Sequence, residues 1–158
     1  MKLLRCLVSA AVIALVPGWA YAQFPSWSSE QQAVWDLVAQ SWADEVAENG
    51  RWPAQYVHDN VVDWGDRQPA PRGIDKITEW ARFEEANGRT LFYEVTPAAI
   101  VVVDDTAVVH YHLMMVSEDE EGEQETSVRG LVETLVRQNR AWKYVSLSGF
   151  EPKFGDDD

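Results

Sequence analysis

The sequence predicts an α+β fold in which a curved antiparallel sheet wraps around N-terminal helices. Three observations predict it. Apolar residues recur at helical spacing only in the first half, at Val34, Val38, Trp42 and Val46 and again at Ile74, Ile77, Trp80 and Ala81. The second half is a succession of β-rich runs separated by turn dipeptides. No run of helix follows the strands, so the helices must cover one face of the sheet.

The elements follow in order. Ser28-Ser29-Glu30-Gln31-Gln32 carries the signature of a capped helix start, with either serine as cap and Gln31 or Gln32 three residues on. Asn49-Gly50 stops that helix. Trp52 to Tyr56 is predicted as a second, short helix opening at Pro53. His58 to Trp64 reads as a strand, and Gly65 to Gly73, with two glycines and two prolines, as a loop. Ile74 to Glu85 is the third helix, closed by Asn87-Gly88. Thr90 to Val103 is β, with a bend or edge at Pro97, which has no N–H for a ladder bond. Asp104-Asp105 turns the chain into Thr106 to Ser117. An acidic tip leads to Val128 to Arg137, and Asn139-Arg140 turns it into Trp142 to Phe150.

Composition sets limits. Lys2 and Arg5, the apolar run Leu7 to Val16, the breakers Pro17-Gly18 and the small-x-small pattern Ala20-Tyr21-Ala22 form a secretory signal peptide, with cleavage expected after Ala22. An apolar run of ten residues is half of what a spanning helix needs. The domain expected after cleavage is residues 23–158, periplasmic or secreted, with no membrane-spanning segment left. The single cysteine, Cys6, lies in the leader, so neither disulfides nor thiolate ligands are expected in that domain. Its 136 residues suit one hydrophobic core. The full chain has a net charge of −13, and losing Lys2 and Arg5 makes it −15, which excludes nucleic acid and anionic lipid as partners. Six acids between Glu118 and Glu125, with Asp156 to Asp158, read as a solvated hairpin tip and tail. They lack the ligand spacing of a calcium loop.

Three stretches resemble a known family. They are Tyr56-Val57-His58-Asp59-Asn60-Val61-Val62 leading to Gly73-Ile74-Asp75-Lys76-Ile77, Val101 to Val109, and Val136 to Val145. Together they are similar to the nuclear transport factor 2-like superfamily, in particular its polyketide-cyclase-like (SnoaL-like) branch. The resemblance implies a cone-shaped α+β barrel with a pocket at its wide end, and homodimers formed through the sheet. It also implies a local structural role for Asp59 and a core position for Trp142. Function is not implied, because the same cone hosts enzymes and non-catalytic binding domains.

Candidate site residues come from chemistry. His110 and His112, two apart on one strand, share a face with Val108, Met114 and Val116. They are candidate general bases, or metal ligands with His58 or Glu133 as a third, but no metal or other cofactor is assigned. Glu133 alternates with Leu131 and Leu135. Facing inward it would hold a raised pKa and move protons, whereas the flanking Arg129 and Arg137 favour an outward, ion-paired position. Asp63 and Asp66 flank Trp64 near the expected pocket mouth. Tyr56, His58, Trp64, Trp80, Phe83 and Met114 are the pocket-lining candidates, suited to a flat apolar ligand. No nucleophile elbow, phosphate loop or dinucleotide fingerprint is present. The leading expectation is an exported domain that binds a hydrophobic small molecule. The alternatives are a proton-transfer enzyme of the isomerase, dehydratase or cyclase type, and a non-catalytic dimerisation or protein-interaction module.

Overall fold

The computed structural model describes residues 26–152. The leader, its cut after Ala22 and the tail Asp156 to Asp158 lie outside the described residues. The elements run α1 (Ser29–Val46), β1 (Val57–Asp63), α2 (Ile74–Asn87), β2 (Gly88–Val103), β3 (Thr106–Asp119), β4 (Gln124–Gln138) and β5 (Ala141–Phe150). No helix among them is long and apolar enough to cross a membrane.

Helix α1 starts where the capping signature places it. Ser28 Oγ accepts from the Gln31 N–H at 3.2 Å, and Gln31 Oε1 accepts from the Ser28 N–H at 2.9 Å. The free end of the same amide reaches the sheet, with Gln31 Nε2 donating to the Ile100 carbonyl at 2.7 Å. Val34, Val38 and Ser41 are buried along one stripe of the helix.

The five strands form one sheet in the order β1-β5-β4-β3-β2. Strands β2 to β5 are an antiparallel meander, as expected from their turn dipeptides. Strand β1 runs parallel to β5, so the sheet is mixed rather than wholly antiparallel. A parallel neighbour needs a long crossover, and here everything between β1 and β5 supplies it. β1 and β2 are the two edges and are not paired with each other, so the cone stays open. The Asn139-Arg140 turn has positive φ at both residues, 52° and 68°, the geometry that a two-residue hairpin demands.

One expected helix is absent. Trp52 to Tyr56 forms hydrogen-bonded turns, with the Gln55 N–H on the Arg51 carbonyl and the Val57 N–H on the Pro53 carbonyl. Five residues between the end of one turn and the start of β1 at Val57 leave no length for a helix to propagate. Pro97 stays inside β2, and the bend appears as a register shift between Pro97 and Ala99.

Alternation on β3 fixes the core. Ala107, Val109, Tyr111 and Leu113 are buried against α1, while His110 and His112 point the other way. Leu131, Glu133 and Leu135 from β4, and Trp142 and Tyr144 from β5, complete the buried layer. A register shift after Thr134 offsets β5 by one residue, which turns both Tyr144 and Leu147 towards the interior.

Candidate functional site

The open end of the cone holds a cavity of about 950 Å³. Its walls are mainly apolar, with Trp42 and Trp52 behind, Leu113, Met115, Leu131 and Leu147 on the sheet, and Ile77, Trp80 and Phe83 on α2. Trp80 and Phe83 stack at 5.3 Å and are half exposed, forming the outer wall. The segment after β1 closes one side. Trp64 N–H and Asp66 N–H donate to the Leu147 and Gly149 carbonyls, so the chain runs along β5. Gly65 allows that approach, because a Cβ there would sit 2.9 Å from the Gly149 carbonyl oxygen.

Glu133 forms the floor. It pairs in register with Val109 on β3 and Leu147 on β5, and it is 7% exposed. Its Oε2 has no hydrogen-bond partner among the described residues. Burial pushes its pKa up to about 8. The neighbouring Tyr111 and Tyr144 hydroxyls oppose this, and the Asp63 charge adds to it. At neutral pH the group is therefore mostly a carboxylic acid, able to donate a hydrogen bond, and slightly above neutrality it becomes a base.

Helix α1 orients the two tyrosines. Trp42 Nε1 donates to the Tyr111 hydroxyl at 2.8 Å. An indole N–H only donates, so the Tyr111 proton is left for another acceptor. Ser41 Oγ lies 3.0 Å from the Tyr144 hydroxyl and also donates to the Val38 carbonyl at 2.9 Å. Both phenols are held well above their usual pKa, first by burial and then by the Glu133 charge. They stay protonated and act as donors. Glu45, one turn beyond Ser41, also lines the cavity. Burial, then repulsion from Glu84, Glu133 and Glu85, pushes it up to about 8. Glu84 lies at the rim and is raised by burial, against the pull of the Trp80 indole and the nearby arginines.

The structure brings together four of the sequence-predicted candidates, Glu133, Asp63, Trp80 and Phe83. Glu133 faces inward, against the outward position that its flanking arginines favoured. Strand β4 is 15 residues long and spans the cone, so its arginines reach solvent at opposite ends. Arg129 meets Asp66 at the mouth, 3.7 Å away, and Arg137 covers Trp142 at 4.6 Å and pairs with Glu30 at the narrow end. His110, His112 and Met114 lie on the outer face of the sheet, opposite Val132, Gly130 and Val128. Glu133 cannot share a metal with histidines on the other side of the sheet. His58 is half-buried on β1, where its Nδ1 accepts from the Asn60 N–H at 3.0 Å. Tyr56 is buried outside the cavity lining and donates to Asp44. Its pKa is pushed up to about 12 by burial and that bond. Trp64 is 56% exposed, with its indole on the Gln68 carbonyl. Asp63 is held by Arg72 at 2.5 Å and by Gln68 at 2.9 Å.

Sequence reasoning missed Tyr111, Tyr144, Glu45, Ser41 and Trp42. The usable signal was alternation on β3, where Val109, Tyr111 and Leu113 form a more apolar face than His110, His112 and Met114.

No family model and no curated protein matches the sequence. Solved structures do match. A ketosteroid isomerase-like protein from Erwinia carotovora atroseptica superposes with a TM-score of 0.69 at 12% identity, over 80% of this chain and 99% of that one. A nuclear transport factor 2-like protein with a cystatin-like fold from Novosphingobium aromaticivorans gives 0.62 at 16% identity, over 80% and 84%. A nuclear transport factor 2-like superfamily protein from Salmonella enterica gives 0.66 at 14% identity, over 81% and 95%. With its helix-filled cone and five-stranded open sheet, this chain has the nuclear transport factor 2-like fold.

Proposed function

We propose that the domain binds a small organic molecule in the cone, with an apolar body against the tryptophan, leucine and methionine walls and a polar group on the Glu133 floor. One observation carries this reading: an open cavity of about 950 Å³ ends on a carboxyl whose Oε2 is unpartnered and buried. A buried polar atom left unpaired costs about 1–3 kcal/mol, which a ligand hydrogen bond recovers. The test is a thermal-shift screen of hydrophobic small molecules that carry one polar group, run on the wild type and on Ala81→Trp. Ala81 lines the cavity from α2, and an indole there occupies the ligand's space. Compounds that stabilise the wild type and not the variant support the reading. Compounds that stabilise both equally bind elsewhere and contradict it.

A second reading adds proton transfer. Glu133 titrating at about 8 beside two phenol donors suits removal of a proton from a bound substrate while an oxygen is stabilised. The ketosteroid isomerase-like description of one structural neighbour is consistent with such chemistry. Under this reading Glu133→Gln abolishes turnover yet retains binding.

Export belongs to the same proposal, on the strength of the three-part leader in residues 1–22. N-terminal sequencing of the protein from its native host should begin at Gln23, and an intact leader contradicts it.

A further inference from the structure

The charges lining the cavity do not balance. Every lysine and arginine on its wall already has a carboxylate partner. Arg72 is 2.5 Å from Asp63, Arg89 2.7 Å from Glu118, and Lys76 2.5 Å from Glu79. Arg129 and Arg67 lie 3.7 Å from Asp66 and Glu151. On the same wall Glu45, Glu84 and Glu133 have no ion-pair partner among the described residues. Glu133 lines the cavity and is 7% exposed, and its Oε2 is buried with no hydrogen-bond partner among the described residues. Such an excess of carboxyls around one cavity is stabilised by a positive charge and worsened by a negative one.

The walls fit the same ligand. Trp42, Trp52, Trp80 and Phe83 present indole and phenyl rings around these carboxyls. Aromatic faces attract cations, and Trp80 already carries the Arg72 guanidinium 5.6 Å from its ring centre. Among the described residues no three His, Cys, Asp or Glu side chains are grouped closely enough to hold a metal ion. A positive charge carried on an apolar body would meet both the carboxyls and the aromatic rings. The net charge of −13 also draws cations from solution.

We infer that the cone takes an organic cation, a protonated amine or quaternary ammonium on an apolar body, with its charge between Glu45 and Glu133 and its body against the aromatic wall. This inference rests on the binding reading above and specifies the ligand's charge.

Three probes with one body separate the two claims. They are 4-phenylbutylamine, 4-phenyl-1-butanol and 4-phenylbutyrate, titrated at pH 8 by isothermal calorimetry. The amine should bind at least about tenfold more tightly than the alcohol, and the acid most weakly. Glu133→Gln and Glu45→Gln should each lower the preference for the amine over the alcohol by about tenfold, with circular dichroism reporting the fold of each variant. Binding of the alcohol or the acid as tight as the amine overturns the cation and leaves the binding reading standing. Failure of all three with folded wild-type protein overturns both.

Discussion

The Trp42 indole N–H donates to the Tyr111 hydroxyl at 2.8 Å, joining helix α1 to strand β3 across 69 residues of sequence. This bond leaves the phenol proton free to face Glu133, so a core contact sets the polarity of the cavity floor. Replacing Tyr111 by phenylalanine strands the indole N–H and removes a donor that lowers the Glu133 pKa. We expect a loss of about 1–3 kcal/mol in urea unfolding. We also expect the Glu133 titration to move above about 8. An unchanged titration contradicts the placement of that proton.

The raised pKa of Glu133 makes stability depend on pH in a defined direction. An unfolded glutamate titrates near 4.5 and the folded one at about 8. Between these values the unfolded chain has lost its proton and the folded chain has kept it. Stability contributed by this group is complete below pH 4.5, declines as pH rises and is exhausted above pH 8. The slope for one such group is about 1.4 kcal/mol per pH unit. Urea unfolding at pH 5, 6.5 and 8 should show the decline, and Glu133→Gln should roughly halve it, because Glu45, also raised to about 8, contributes in the same window. Asp44, lowered by the Tyr56 hydroxyl and the Asn49 amide, works in the other direction. Its contribution is present above pH 3.8 and is lost as pH falls further.

The outer sheet face carries exposed Phe92, Met114, Val128 and Phe150. In register these residues cluster, with Met114 opposite Val128 and Phe150 beside Gly130. We propose that this apolar patch is an association surface. We expect a homodimer by light scattering, and monomers from the paired change Met114→Lys and Val128→Lys. A monomeric wild type contradicts this expectation.

His110 and His112 sit on that same outer face, with the full thickness of the sheet between them and Glu133. His110→Ala and His112→Ala should leave ligand affinity within about twofold, since surface changes away from a site move energies by about 0.5 kcal/mol or less. A tenfold loss of affinity in either variant would place the site elsewhere.

The architecture was legible in the sequence because local rules agreed. Ser28 with Gln31 located the first helix, Asn139-Arg140 located the last hairpin, and Trp142 was rightly read as core. The parallel pairing of β1 with β5 had no local signal, since it depends on where a long crossover returns the chain. The site was half legible. Glu133 was singled out, but its direction was misjudged because Arg129 and Arg137 share its face. Sequence alternation gives the face and does not tell how far along the strand the solvent begins. Tyr111 and Tyr144 were overlooked because their role comes from Trp42 and Ser41, contacts that exist only once α1 is laid across the sheet.

The central claim is that an uncharged carboxyl closes an open cavity near neutral pH. Carbon-13 NMR titration of the Glu133 carboxyl, assigned by comparison with Glu133→Gln, tests it most directly. The midpoint should lie near 8 and shift when a compound binds in the cone. A midpoint near 4.5, unmoved by ligand, would mean that Glu133 is an ordinary solvated carboxylate and that the cavity floor has been misread.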